Sequence, residues 1–285
     1  YYIIKFLYVL GFNLVIVNNF YYIANMITCE DMIKIALRSG CIVLENGGET
    51  YRTEETIVHV AKALGAKTAS AFVTPTVIMF SYTDDDDHYH SAIRRVTKSS
   101  VNLQKVSQIS NLARRLEKRQ FTSDLKQVEA LLDRIEKAPV NSNWLVCFGA
   151  ALNSFCFAFM LGGHFLEAVF SFVIGLILRI ALLGISHFPL GSFVTSMFSG
   201  GFIAIFAWLV GTIGKNVGFD VSSFVVMIAT LMQVVPGLAI VNGIRDIISG
   251  DLVSGTARIM DAFMIAAGLS TGAVTIFMIM SKLIG

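Results

Sequence analysis

The sequence predicts a polytopic α-helical membrane protein of about five transmembrane helices, preceded by an N-terminal α+β domain. Three observations carry that expectation. First, 55% of the 285 residues are hydrophobic and only 15% are charged, whereas an ordinary soluble domain is about one-quarter charged. Second, the charges are segregated: 31 of them lie between Thr28 and Asn143, and only ten lie in residues 144–285. Third, the charge-poor half divides into apolar runs close to the roughly 20 residues that a membrane-crossing helix needs. An open sheet is excluded there, because its edge amides find no partner in hydrocarbon. The net charge of +2 leaves no basic footprint for nucleic acid.

Three segments follow: 1–28, 29–139 and 140–285. Tyr1 to Ile27 is apolar but interrupted by Asn13, Asn18, Asn19 and Asn25. It has one basic residue, Lys5, and no small-residue cleavage site, so it does not read as a signal peptide. Either a misplaced start or an extra hydrophobic span accounts for it.

The charged segment reads as helix, helix, strands, helix, helix. Ile33, Ala36, Leu37, Cys41 and Leu44 mark one helical face, stopped by Asn46-Gly47-Gly48. Thr50 is expected to cap a second helix with Ile57, Val60, Ala61 and Leu64 inward, and Gly65 ends it. Thr68–Thr74 and Pro75–Thr83 are rich in β-formers. The polar turn Asp84–Asp87 and the return strand His88–Val96, with Tyr89, Ile93 and Val96 among its apolar members, predict a hairpin. Two amphipathic helices follow, on Leu103, Val106, Ile109, Ala113, Leu116 and on Leu125, Val128, Leu132, Ile135. Pro139–Asn143 is the expected hinge into the membrane.

The spans are expected at Trp144–Leu161, Phe165–Ile185, Ser192–Val210, Phe219–Val235 and Thr256–Leu283. The 17 Lys and Arg residues upstream place the charged domain in the cytoplasm, and Arg245 and Arg258 place the fourth connection on the same side, with Lys215 an exception. Small residues Gly200, Ala204, Ala207 and Gly211 share one face of the third span, and Gly268-x-x-x-Gly272 lies in the fifth; both patterns permit close helix contact.

No nucleophile, metalloprotease, Walker or dinucleotide motif occurs, so no enzyme and no cofactor is expected. The best metal candidate is Asp84-Asp85-Asp86-Asp87-His88-Tyr89-His90, where the two histidines share a strand face. A solvated turn is the simpler reading, and no metal site is expected. Cys29, Cys41, Cys147 and Cys156 lack metal-type spacing and read as free thiols. The basic run from Arg94 to Arg119 reads as a wet helix face, with contact to anionic headgroups as the runner-up. Glu167 and Asp220 are expected at the membrane interface, and Arg179 is expected to snorkel toward it. Asn153, Ser154 and Gln233 are polar enough to line a pathway.

The densest polar and small-residue cluster runs from Pro236 to Arg258. Pro236-Gly237 breaks an apolar helix at membrane depth, either as an ordinary kink before a loop or as a broken helix whose exposed backbone dipoles face a substrate.

These residues resemble the threonine/serine exporter family, in its split form. Gly40 to Gly65 resembles the family's GxETxRxE helix pair ending in ALG. Phe72-Val-Thr-Pro75-Thr76, Asn102-Leu103 and Asn111-Leu-Ala-Arg114 resemble its middle section. Pro236 to Arg258 is similar to the PG-x4-N-x3-D-x3-G-x4-G-x-AR signature. The resemblance covers about residues 29–283; the long fused members carry about ten spans and this chain has the first five. It implies a subunit of a secondary transporter in the bacterial plasma membrane, exporting threonine and serine or, in some split systems, small dicarboxylates such as succinate. A small five-span membrane protein is the implied partner, with homo-oligomerisation left open. Pro236, Gly237, Asn242, Asp246, Asn153 and Arg258 are the expected substrate path. Glu49, Arg52 and Glu54 are the expected gating or structural network, since 49 and 52 lie one turn apart. A membrane-anchored enzyme and a non-transporting scaffold subunit are the competing classes.

Overall fold

A computed structural model describes residues 28–97, 100–118, 125–138, 142–186, 188 and 190–284. The expectations for the 1–27 segment, for residues 139–141 of the hinge, and for Lys98 and Arg119 lie outside the described residues. The chain forms two compact units. One comprises the residues up to Pro139 together with Asp246–Ser254; the other comprises Val140–Arg245 and Gly255–Gly285.

The first unit is α+β. Its elements are α1 (Cys29–Glu45), α2 (Thr50–Ala63), β1 (Thr68–Thr74), β2 (Val77–Thr83), β3 (Tyr89–Arg95), α3 (Leu103–Glu117) and α4 (Leu125–Lys137). Thr28 caps α1 by accepting from the Asp31 amide at 3.1 Å, with Glu30 and Asp31 in the first turn where the helix dipole favours negative charge. The N-cap of α2 is Glu49 rather than the expected Thr50, which is already helical and fully buried. Gly65 follows α2 at φ 109°, a conformation that L side chains rarely adopt. The sheet is an antiparallel meander in the order β1-β2-β3, with Phe80 opposite Ala71 and Ala92. Period-two alternation turns Val73, Ile78, Phe80 and Tyr82 into a core shared with Ile35, Val43, Ile57 and Val60. The opposite face carries Phe72, Met79 and Ile93 in one cross-strand row, all exposed. Tyr89 is exposed as well, so two of the three apolar members expected of β3 face outward.

Ion pairs hold α4 against α1. Arg38 reaches Asp133 and Glu136, and Lys34 reaches Glu129 at 2.8 Å. Hydrogen bonding from Arg38 holds the Asp133 carboxyl below its ordinary carboxylate range.

The second unit is helical: α5 (Asn143–Met160), α6 (Phe165–Ile185), α7 (Ser192–Val217), α8 (Ser223–Leu231), α9 (Gly237–Ile248, whose last three residues belong to the first unit) and α10 (Leu252–Ile284, from Gly255 onward). Among the described residues four helices, α5, α6, α7 and α10, are long and apolar enough to cross a membrane. The expected fourth span at Phe219–Val235 is not one of them: α8 has nine residues, about 14 Å of helix against a hydrocarbon core of about 30 Å. Proline explains the stop. Pro236 offers no amide hydrogen and disfavours helical backbone at Val235, and the chain passes through turns from Met232 to reach α9.

Helices α7 and α10 meet backbone to backbone. Gly200, Ala204, Ala207 and Gly211 are all buried on α7. A β-carbon at Gly272 would strike the Met197 carbonyl and the Gly201 amide, and one at Gly268 would strike the Phe193 carbonyl. In lipid such close approach substitutes for the hydrophobic drive that water supplies.

Gly272→Leu is therefore expected to lower the thermal stability of the detergent-solubilised chain, at an overpacking cost of about 1–3 kcal/mol. Gly149→Leu, where a new β-carbon meets nothing within 4 Å, should leave the melting curve unchanged. Arg38→Ala should speed amide exchange over 125–137 at neutral pH. Because Asp133 has a depressed folded-state pKa, its contribution is present above the usual carboxylate range and lost as pH falls through it. The difference between wild type and Arg38→Ala, corrected for intrinsic rates, should thus shrink on acidification.

Candidate functional site

The signature segment, Pro236 to Arg258, takes in the end of the break between α8 and α9, the whole of α9, the turn after it, and the first two turns of α10. In the second unit, Gln233 sits in the break and donates from Nε2 to the Gly175 carbonyl on α6 at 3.4 Å. The Ser154 hydroxyl on α5 lies beside the same glycine, where a β-carbon would meet it at 2.7 Å. The interruption is thereby tied to α6 by a polar side chain, and Gly175 leaves room for both Gln233 and Ser154. Asn153, expected on the substrate path, is half-buried on α5 next to Ser154.

Pro236 is half-buried and Gly237 exposed at the start of α9. Asn242 and Asp246 are one turn apart and both buried, at 4% and 0% exposure, while Arg245 between them is exposed. Gly243 lies on the inward side too: a β-carbon there would meet the Gly255 carbonyl and Ile259 of α10. Arg258 is half-buried on α10. Gly250, at φ 96°, reverses the chain between the two helices, with the Asp251 amide donating to the Asp246 carbonyl at 2.9 Å.

The return turn belongs to the first unit, and there it meets Val73 at the end of β1. The Ser254 hydroxyl donates to the Val73 carbonyl at 2.8 Å, and the Val73 amide donates to Glu54 Oε1 at 2.8 Å. One strand residue is thus held on both backbone groups by side chains 200 positions apart in the sequence. Burial raises the Glu54 carboxyl above its ordinary value; the Val73 amide opposes this, and the nearby charges of Asp251 and Asp246 reinforce it.

The expected network of Glu49, Arg52 and Glu54 divides. Arg52 Nε approaches Glu49 Oε2 at 3.7 Å, with Glu49 almost fully buried. Glu54 turns away from that pair to Val73. Glu167, expected at the interface, lies in the first turn of α6 and is buried there, a role in packing that sequence reasoning missed. Its Oε2 accepts from the His164 amide at 2.9 Å and its Oε1 from the Ser222 amide at 3.1 Å, so one carboxylate serves the starts of α6 and α8. The three-residue spacing of His164 and Glu167 is that of a capping box, the signal from which it was legible.

Residues 34–280 match the model of the family described as "Putative threonine/serine exporter". The chain belongs to the threonine/serine exporter family. By name the family is one of transporters, and the chain is a membrane protein of that family. Among curated relatives, the "Probable succinate transporter subunit YjjP" of Klebsiella aerogenes is 21% identical over 244 residues, covering 85% of this chain and 91% of that protein. The "Threonine/serine exporter" of Corynebacterium glutamicum is 23% identical over 247 residues, 85% of this chain but 50% of that protein. A "Probable threonine/serine exporter" of Mycobacterium tuberculosis is 24% identical, with 45% of its length covered. The chain thus spans about half of the two exporters and nearly all of the succinate subunit. No solved structure matches the chain.

Glu54→Gln keeps an acceptor for the Val73 amide and removes one of three neighbouring carboxylates. A carboxylate whose folded pKa is raised destabilises the fold once pH exceeds its unfolded value. The variant should therefore exchange amides over 246–254 more slowly than wild type at neutral pH, and the advantage should fade in acid. Ser254→Ala should do the opposite over 68–77, by the roughly 0.5–1.5 kcal/mol of one hydrogen bond.

Proposed function

We propose that the chain is a subunit of a secondary transporter that exports threonine and serine across the bacterial plasma membrane. The first unit faces the cytoplasm, and a small five-span membrane protein completes the permease. The observation that carries this reading is the helix interrupted at Met232–Pro236 and resumed as α9, whose inward face bears Asn242 and Asp246. Such an interruption presents backbone dipoles and a buried carboxylate to an ammonium or carboxylate group, which a continuous apolar helix does not.

On this reading Pro236 and Gly237 open the path, and Asn242, Asp246, Arg258 and Asn153 contribute polar groups along it. The Glu49–Arg52 pair and the Glu54–Val73–Ser254 connection form the gating or structural network of the cytoplasmic unit. The need for a partner is supported by the relatives named as transporter subunits. A second reading, export of a small dicarboxylate such as succinate, is favoured by the succinate subunit that the chain covers over 91% of its length.

Efflux of labelled threonine, serine and succinate from preloaded cells lacking the chain, with and without its five-span partner, separates these readings. Loss of threonine and serine efflux supports the first and loss of succinate efflux the second; no change in any of the three would overturn both. Asp246→Asn and Asn242→Ala are expected to cut transport at least tenfold, an uncompensated loss of more than about 1.4 kcal/mol, with membrane insertion intact.

A further inference from the structure

The tetra-aspartate hairpin acquires a neighbour that sequence spacing did not supply. Cys29, the first residue of α1, lies beside the β2–β3 turn, and its Sγ is 3.6 Å from His90 Nε2. The same ring nitrogen is 2.9 Å from Asp84 Oδ2. One sulfur, one nitrogen and one carboxylate oxygen lie within 4.8 Å of one another. We propose that Cys29, Asp84 and His90 form a zinc site that staples the start of α1 to the β2–β3 hairpin.

Several features of the arrangement favour a cation over a simple hydrogen-bond cluster. His90 Nε2 carries at most one proton, so it serves a carboxylate and a thiol together only through one shared, weakened hydrogen bond; a metal ion uses all three donors together. Asp84 is oriented for the task, since its Oδ1 is held by the amides of Asp86 at 3.0 Å and His88 at 2.9 Å, leaving Oδ2 to face the cluster. The ring of His90 stacks on Tyr82 with centroids 4.9 Å apart, and the Tyr82 hydroxyl donates to the Cys29 carbonyl at 3.4 Å. Such outer contacts fix the orientation of ligating side chains in metal sites. The donor set selects the metal: thiolate with imidazole and one carboxylate suits Zn²⁺, whereas Mg²⁺ and Ca²⁺ take oxygen ligands. Binding forms a zinc–sulfur bond and releases the thiol proton to water. Water takes the fourth position, and His88 Nδ1 stands 3.6 Å from Asp84 Oδ2 as a further donor beside the cluster.

The test uses the full chain in detergent, stripped with chelator and titrated with Zn²⁺ or Co²⁺. One Zn²⁺ per chain is expected by elemental analysis, together with a thiolate-to-cobalt charge-transfer band. Both should disappear in Cys29→Ser and in His90→Ala, while His88→Ala weakens binding less. In the unmutated chain, Zn²⁺ should slow alkylation of Cys29 about tenfold or more, as read by peptide mass spectrometry. Undiminished Zn²⁺ binding by Cys29→Ser, or alkylation of wild-type Cys29 unaffected by Zn²⁺, would overturn the site. The alkylation measurement decides the matter even if the variants fail to fold, and it is independent of which substrate the transporter carries.

Discussion

Inside hydrocarbon every backbone polar group needs a protein partner, and the second unit is organised around the one place where the helix ladder is deliberately cut. Pro236 removes a donor and stops α8 after nine residues. The cut is tolerable because turn bonds take up the backbone groups, the Val234 and Val235 amides donating to the Leu231 carbonyl and the Gly237 amide to the Val235 carbonyl, and because α9 restarts the ladder at once. The other helices answer the same constraint in the ordinary way. They are long and uninterrupted, and α7 and α10 approach through glycine so that van der Waals contact replaces an absent hydrophobic drive.

The first unit obeys the opposite solvent logic. Its core is a conventional apolar interior, with one face of a three-stranded meander under two helices, and its surface pairs are Lys and Arg with Asp and Glu. Within that unit, the turn after α9 is held by Ser254 on the Val73 carbonyl while Glu54 holds the Val73 amide. The signature motif of the family therefore spans two kinds of structure. Its first part, with Asn242, and its last, Gly255–Arg258, are helix in the charge-poor unit; Asp246–Ser254 between them, the end of α9 and the return turn, belongs to the charged one.

What the residues made legible divides along the range of the interactions. Amphipathic helices at α1 through α4, the hairpin at Asp84–Asp87 and the apolar runs at α5, α6, α7 and α10 were readable because their signals repeat within a few residues. The fourth span is not the single helix expected. The run Phe219–Val235 has the composition of a span, but composition does not register that Asp220 and Ser222 delay the helix start and Pro236 forces an early end. The partners of Glu167, the amides of His164 and Ser222, were not legible because they are defined by where α6 and α8 begin.

The sequence by itself determined the class of protein: two solvents are written into its charge distribution, and the Pro236–Arg258 spacing pointed to the family. Only the tertiary structure decided which polar residues work together. Glu54 parted from Glu49 and Arg52 to hold Val73 beside Ser254, and Cys29 joined Asp84 and His90. The physical reason is the same in both cases. Hydrophobic periodicity is a local property of the chain, whereas a hydrogen bond or a ligand set between residues 181 or 61 positions apart exists only after the intervening elements have packed.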